Sequence, residues 1–98
     1  MTTTTGRFET PRASGYLQQL CKHFGHKVEA TFDERSGTIV FPAARATLAA
    51  TDEALSVTLE ADGAEDLERM RGVIDSHLAR FAFREGFERM AWDAGPGA

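Results

Sequence analysis

The sequence predicts a two-layer α+β domain: an antiparallel sheet of four to five strands with two helices on one face, in the order (β)–α–β–β–β–β–α–(β). Three observations carry that expectation. Apolar residues recur at helical spacing in two separate segments, around 13–24 and 67–81. Between them lie short β-branched and aromatic runs with period-two alternation, divided by turn residues. The chain has 98 residues, 42% of them hydrophobic, which supports one core and leaves no room for a second.

The elements follow in order. Residues 1–6 and 94–98 read as loose ends around an ordered part of about 7–92, with a weak strand signal at Gly6–Thr10. Helix one is marked by Thr10 as N-cap and Pro11 at the first helical position, where a missing N–H costs nothing. Ala13, Tyr16, Leu17, Leu20, Cys21 and Phe24 form its stripe, and Gly25 reads as a left-handed stop. Val28, Ala30 and Phe32 then alternate with Glu29 and Thr31. "DERSG" (33–37) is a turn, and "TIVF" (38–41) is a strand that Pro42 limits. Residues 44–50 are alanine-rich and alternate less clearly. Leu55, Val57 and Leu59 alternate with Ser56, Thr58 and Glu60, so one sheet face is apolar and the other wet.

Helix two spans about Ala64 to Phe81. Asp62 and Glu65 fit a capping box, and Leu67, Met70, Ile74, Leu78 and Phe81 form the stripe. Glu65–Arg69 and Glu68–Arg71 have the spacing of exposed ion pairs. Gly72 costs helix propensity, and a close approach to the sheet would explain it. The tail "FERMAW" (87–92) reads either as a last strand or as irregular chain that lays Phe87 or Trp92 on the core.

Composition excludes several classes. Net charge is −4, and residues 51–98 hold eleven acids against five arginines. A nucleic-acid binder needs a basic stripe to neutralise phosphates, and four scattered cations in residues 1–30 do not make one. No apolar run reaches the ~20 residues of a membrane span. "MTTTTGRFE" lacks the basic and apolar parts of a secretory signal, and one cysteine makes no internal disulfide. Together these predict a cytoplasmic protein.

The chemistry concentrates in "CKHFGHK" (21–27), which holds the only cysteine, both lysines and two of the three histidines. Cysteine and histidine are good ligands for iron, zinc or copper. Helical phase splits the motif, because Cys21 and His23 point about 160° apart on a regular helix. Lys22 and His23 complement the negative end of the helix dipole, and Cys21 and Phe24 belong to the core. His26 and Lys27, past the stop, have no structural duty. His77 flanks the stripe of helix two beside Met70 and Val73, with Arg80 and Arg84 further along. If the helices lie side by side, His77 approaches His23 or Cys21. Nucleophilic catalysis by Cys21 is disfavoured by its place at a helix C-terminus, where the dipole opposes a thiolate. No Ser-His-Asp spacing, phosphate loop or carboxylate pair stands out. The polar sheet face (Thr31, Arg45, Thr47, Ser56, Thr58, Glu60) reads as solvated, though such a face can also dock a partner.

The stretches "YLQQLCKHFGHKVEATFDERSGTIVFP" (16–42) and "HLARFAFREGFE" (77–88) resemble the bacterial domain-of-unknown-function family 2218, over about Thr10 to Trp92. Cys21, Lys22, His23, His26, Lys27, Arg80 and Arg84 are the matching positions; residues 43–50 and the tail after Glu88 match less well. The resemblance implies an α+β layout similar to the TATA-binding protein and to the last domain of phosphohexomutases. Some members look to be joined to siderophore-interacting proteins, which are flavin-dependent ferric reductases, so the resemblance also implies an iron-metabolism context. It carries no catalytic residue.

Three functions are therefore expected to compete. The leading one is a non-enzymatic accessory domain, monomeric or dimeric, that binds a small anionic ligand, a metal chelate or a partner such as a siderophore-interacting protein. Its donors would be His23, His26, Lys27 and Arg84. The second is a metal-binding or redox protein using Cys21, His23 and His77, with iron or another transition metal as cofactor. The third is an interaction module that dimerises through its sheet.

Overall fold

The alternation of Leu55, Val57 and Leu59 makes β5 (Ala54–Ala61) a strand with every second side chain buried. It lies inside a six-stranded, fully antiparallel sheet in the computed structural model, which describes residues 2–93. The other elements are β1 (Thr2–Glu9), α1 (Ala13–Phe24), β2 (Glu29–Phe32), β3 (Ser36–Phe41), β4 (Ala44–Ala50), α2 (Ala64–Ala82) and β6 (Ala91–Trp92), with a 3₁₀ turn at Phe83–Glu85. The spatial order is β2-β3-β4-β5-β1-β6. Both helices pack on one face, where Leu17, Leu20, Leu48, Leu59, Ile74 and Leu78 are fully buried. The α+β class and the two-layer arrangement are those expected. The sheet has six strands rather than four to five.

The extra strands come from the two ends. Residues 2–6, expected to be loose, form most of β1, which pairs with β5 from Thr2↔Ala61 to Glu9↔Ala54. A threonine run has β propensity but no apolar alternation, so its strand character shows only against the open edge of β5. β6 adds two residues, Gly6↔Trp92 and Arg7↔Ala91. Before it, Phe87 and Met90 are buried, and Phe87 packs on Phe8 at 4.7 Å between centroids. Asp75 of α2 holds this tail: its carboxylate accepts the Met90 amide and the Trp92 indole N–H, both at 2.9 Å. Residues 94–98, also expected to be loose, lie outside the described residues.

Several local details differ from expectation. Helix α1 starts at Ala13 with Arg12 as its cap, and Thr10 instead accepts the Arg12 amide in a short turn at 3.1 Å. The Asp62–Glu65 capping box does not form, since Gly63 is the cap and makes no side-chain bond. Arg69 pairs with Asp66 rather than Glu65. Arg71 turns inward and donates to the buried Thr4 hydroxyl at 2.8 Å and to the Asp93 carbonyl at 3.4 Å instead of pairing with the exposed Glu68. Gly25 is right-handed, with Cys21 O filling the space of a Cβ. Gly72 has open space around its Cβ position, so close packing does not explain it. No helix among the described residues is long and apolar enough to cross a membrane.

Candidate functional site

Helices α1 and α2 run antiparallel. At one end the Tyr16 hydroxyl donates to Glu85, which also accepts from Thr10 at 2.8 Å. Those two hydroxyls hold the Glu85 carboxyl below its usual range, while burial and then Glu85 push the Tyr16 phenol up. At the other end His23 meets His77, with ring centroids 5.0 Å apart.

That second end carries the site. Phe24, the last residue of α1, packs edge-on against Phe41 at 5.1 Å and lies 4.8 Å from the His77 ring. With Val28, Met70 and Val73, these rings floor a cleft of about 450 Å³. The β3–β4 turn at Pro42–Ala43 walls one side. The cleft's ionisable lining residues are Lys27, Arg69 and His77, all bases. Arg69 is held by Asp66, whereas among the described residues neither Lys27 nor His77 is in an ion pair.

The two histidines have different surroundings. His77 Nδ1 lies 2.7 Å from the Val73 carbonyl. A carbonyl only accepts, so the neutral ring carries its proton on Nδ1 and leaves the Nε2 lone pair free. His23 lies between His77, Phe24 and Phe81, at 5.0, 5.2 and 5.8 Å between centroids. Burial depresses its pKa, helped by the neighbouring charges of His77, Arg80, Lys27 and His26.

The expected site residues thus separate. His23 and Lys27 come together with His77. His26 is exposed and does not line the cleft. Arg84 is at the wrong end of the helix pair: it sits over the Phe83 ring at 5.7 Å, next to Glu85 and the start of α1. Cys21 is fully buried, its thiol pushed up to about 11 by burial. A Cβ built on Gly37 would touch Cys21 Sγ at 2.8 Å, so the thiol points into the sheet and away from the histidines. The set Cys21, His23 and His77 is therefore not assembled, and among the described residues no group of three His, Cys, Asp or Glu could hold a metal ion.

Sequence reasoning missed Val28, Phe41, Pro42 and Arg69 as cleft residues. One signal was present, since residues 69, 73 and 77 recur at intervals of four on one face of α2. The contribution of β3 had none. The wet sheet face is also more regular than its sequence shows. Thr31, Thr38, Thr47, Thr58 and Thr5 stand opposite one another in a row across five strands. Arg45 faces Glu60 beside them, so the face carries mixed charge.

Comparison with known proteins gives a family and a fold. Residues 5–93 match the model of the family described as "Uncharacterized protein conserved in bacteria (DUF2218)". The NMR structure of PA4090 from Pseudomonas aeruginosa superimposes with a TM-score of 0.80 at 32% identity, covering 96% of this chain and 97% of that one. No curated protein matches the chain.

Proposed function

The chain belongs to the bacterial family DUF2218, and we propose that it is a binding domain for a small ligand that joins an apolar, ring-bearing body to negative charge. The observation that carries this reading is the cleft itself, with an apolar floor of Phe24, Val28, Phe41, Met70 and Val73 under purely basic ionisable groups. A ligand ring burying on the order of 150 Å² there would gain about 4 kcal/mol. Lys27 would add a charge-assisted hydrogen bond to an anionic edge. Binding is favoured over catalysis because the only thiol is buried and protonated.

Ferric chelates of aromatic oxygen donors have this combination of flat rings and negative charge. They fit the iron context and the siderophore-interacting partner that the family resemblance implies. A cytoplasmic setting belongs to the same reading, since the single cysteine is buried and unpaired.

The test is fluorescence titration with 8-anilinonaphthalene-1-sulfonate, a ring-bearing anion. Saturable one-to-one binding is expected. Val73→Arg should abolish it, and Lys27→Glu should weaken it about tenfold, or ~1.4 kcal/mol. Arg84→Glu, at the far end of the helices, should leave it unchanged. Binding indifferent to Val73→Arg and Lys27→Glu in variants with a native circular dichroism spectrum would sink the proposal.

A further inference from the structure

We propose that His23 and His77 are a two-imidazole donor pair that completes the coordination of a metal ion carried to the cleft by an anionic chelator. The inference rests on the ligand-binding reading above and adds a metal to it. Three observations support it.

The first is distance. Two imidazoles sharing one ion, with metal–nitrogen bonds of about 2.1 Å and a bond angle near 100°, have centroids roughly 5 Å apart. The centroids of His23 and His77 are 5.0 Å apart, one on each helix. The second is orientation. Histidine ligands of metals commonly donate their other ring N–H to a carbonyl or carboxylate, which fixes the tautomer and ring direction. His77 does this through Nδ1 to Val73 O at 2.7 Å.

The third is charge. Lys27, Arg80 and His26 are the charged or titratable neighbours that act on His23 besides His77, and none is acidic. A bare divalent cation is repelled by that field and finds no carboxylate or thiolate to complete its shell. A chelate with net negative charge is attracted by it, brings its own oxygen donors, and needs only two adjacent positions filled. Imidazole suits zinc, copper, nickel and iron, so the metal class is a borderline ion rather than calcium or magnesium. His77 also lines the cleft, so a chelator bound on the apolar floor would present its metal at the pair.

The probe is nickel(II) nitrilotriacetate, an anionic chelate with two adjacent free positions, titrated calorimetrically into untagged protein. The expected result is one-to-one binding that falls at least tenfold in His23→Phe and in His77→Phe and is unchanged in His26→Gln. Phenylalanine keeps the ring packing against Phe24 and Phe81, and His23→Gln and His77→Gln repeat the test where a Phe variant folds poorly. Lys27→Glu should weaken the chelate and strengthen bare nickel. Equal binding by wild type and both histidine variants, or binding carried by His26, would overturn the proposal. Anilinonaphthalene sulfonate binding, measured on the same variants, separates the two readings. If it survives while the nickel result fails, the cleft stands and the donor pair falls.

Discussion

Gly6→Ala should be among the most costly single-atom changes in the molecule. A Cβ on Gly6 would stand 2.6, 2.8 and 2.9 Å from Trp92 Cε3, Cζ3 and Cδ2, about 1 Å inside carbon contact distance. The indole cannot slide aside without loss. Its N–H donates to Asp75 at 2.9 Å, the Arg71 guanidinium lies 6.0 Å from its ring, and its backbone pairs with Gly6 itself. Overpacking costs about 1–3 kcal/mol, and a lost bond to a carboxylate about 1.5–3 kcal/mol. Partial relief leaves an expected net of roughly 2–4 kcal/mol, equivalent to a Tm drop on the order of 10–20 °C for a domain of this size.

Urea unfolding followed by far-ultraviolet circular dichroism measures this cost. The emission of Trp92, the only tryptophan, reports whether the ring has been displaced into water. The decisive comparison is a double-mutant cycle with Trp92→Ala. Without the indole, Gly6→Ala should be neutral or stabilising by up to ~1 kcal/mol, since glycine is unfavourable in a strand. A cost in the wild-type background under about 0.5 kcal/mol, or the same cost in both backgrounds, would refute the steric reasoning.

Two further outcomes are expected. Cys21 is fully buried with its thiol pushed up to about 11, so a disulfide reagent at mildly alkaline pH should modify native protein slowly and denatured protein at once; prompt native labelling would contradict the buried placement. Glu85, held low by the Tyr16 and Thr10 hydroxyls, favours the folded state when ionised. Its contribution is present above the unfolded carboxyl value of about 4.5 and is lost as pH falls through the lower folded value. Tyr16→Phe should flatten the acid limb of the stability–pH curve, and an unchanged slope would exclude that coupling.

The elements that could be read from the chain are those whose signal is local. The stripe from Ala13 to Phe24, the alternation of β5 and the stripe of α2 each record burial of one face. The backbone period alone converts that record into helix or strand. β1 had no such record, because threonines serve a covered and an open face alike, and its place was decided by the free edge of β5. Capping also escaped. Thr10 and Asp62 have the right chemistry at the right spacing, but Thr10 turns to Arg12 and Glu85, and Gly63 takes the cap of α2.

The site divides in the same way. Helical phase was enough to separate Cys21 from His23 and to leave His26 and Lys27 past the helix end. The sequence by itself also determined the class of fold and the family resemblance, whereas the burial of the Cys21 thiol against Gly37 removed it from the metal set. Only the tertiary structure decided that His23 meets His77, that Arg84 lies with Glu85 at the far end, and that Phe41 and Pro42 close the cleft. Those facts depend on two antiparallel helices seated on one sheet. Such packing joins residues more than fifty positions apart, and no local period carries information over that distance.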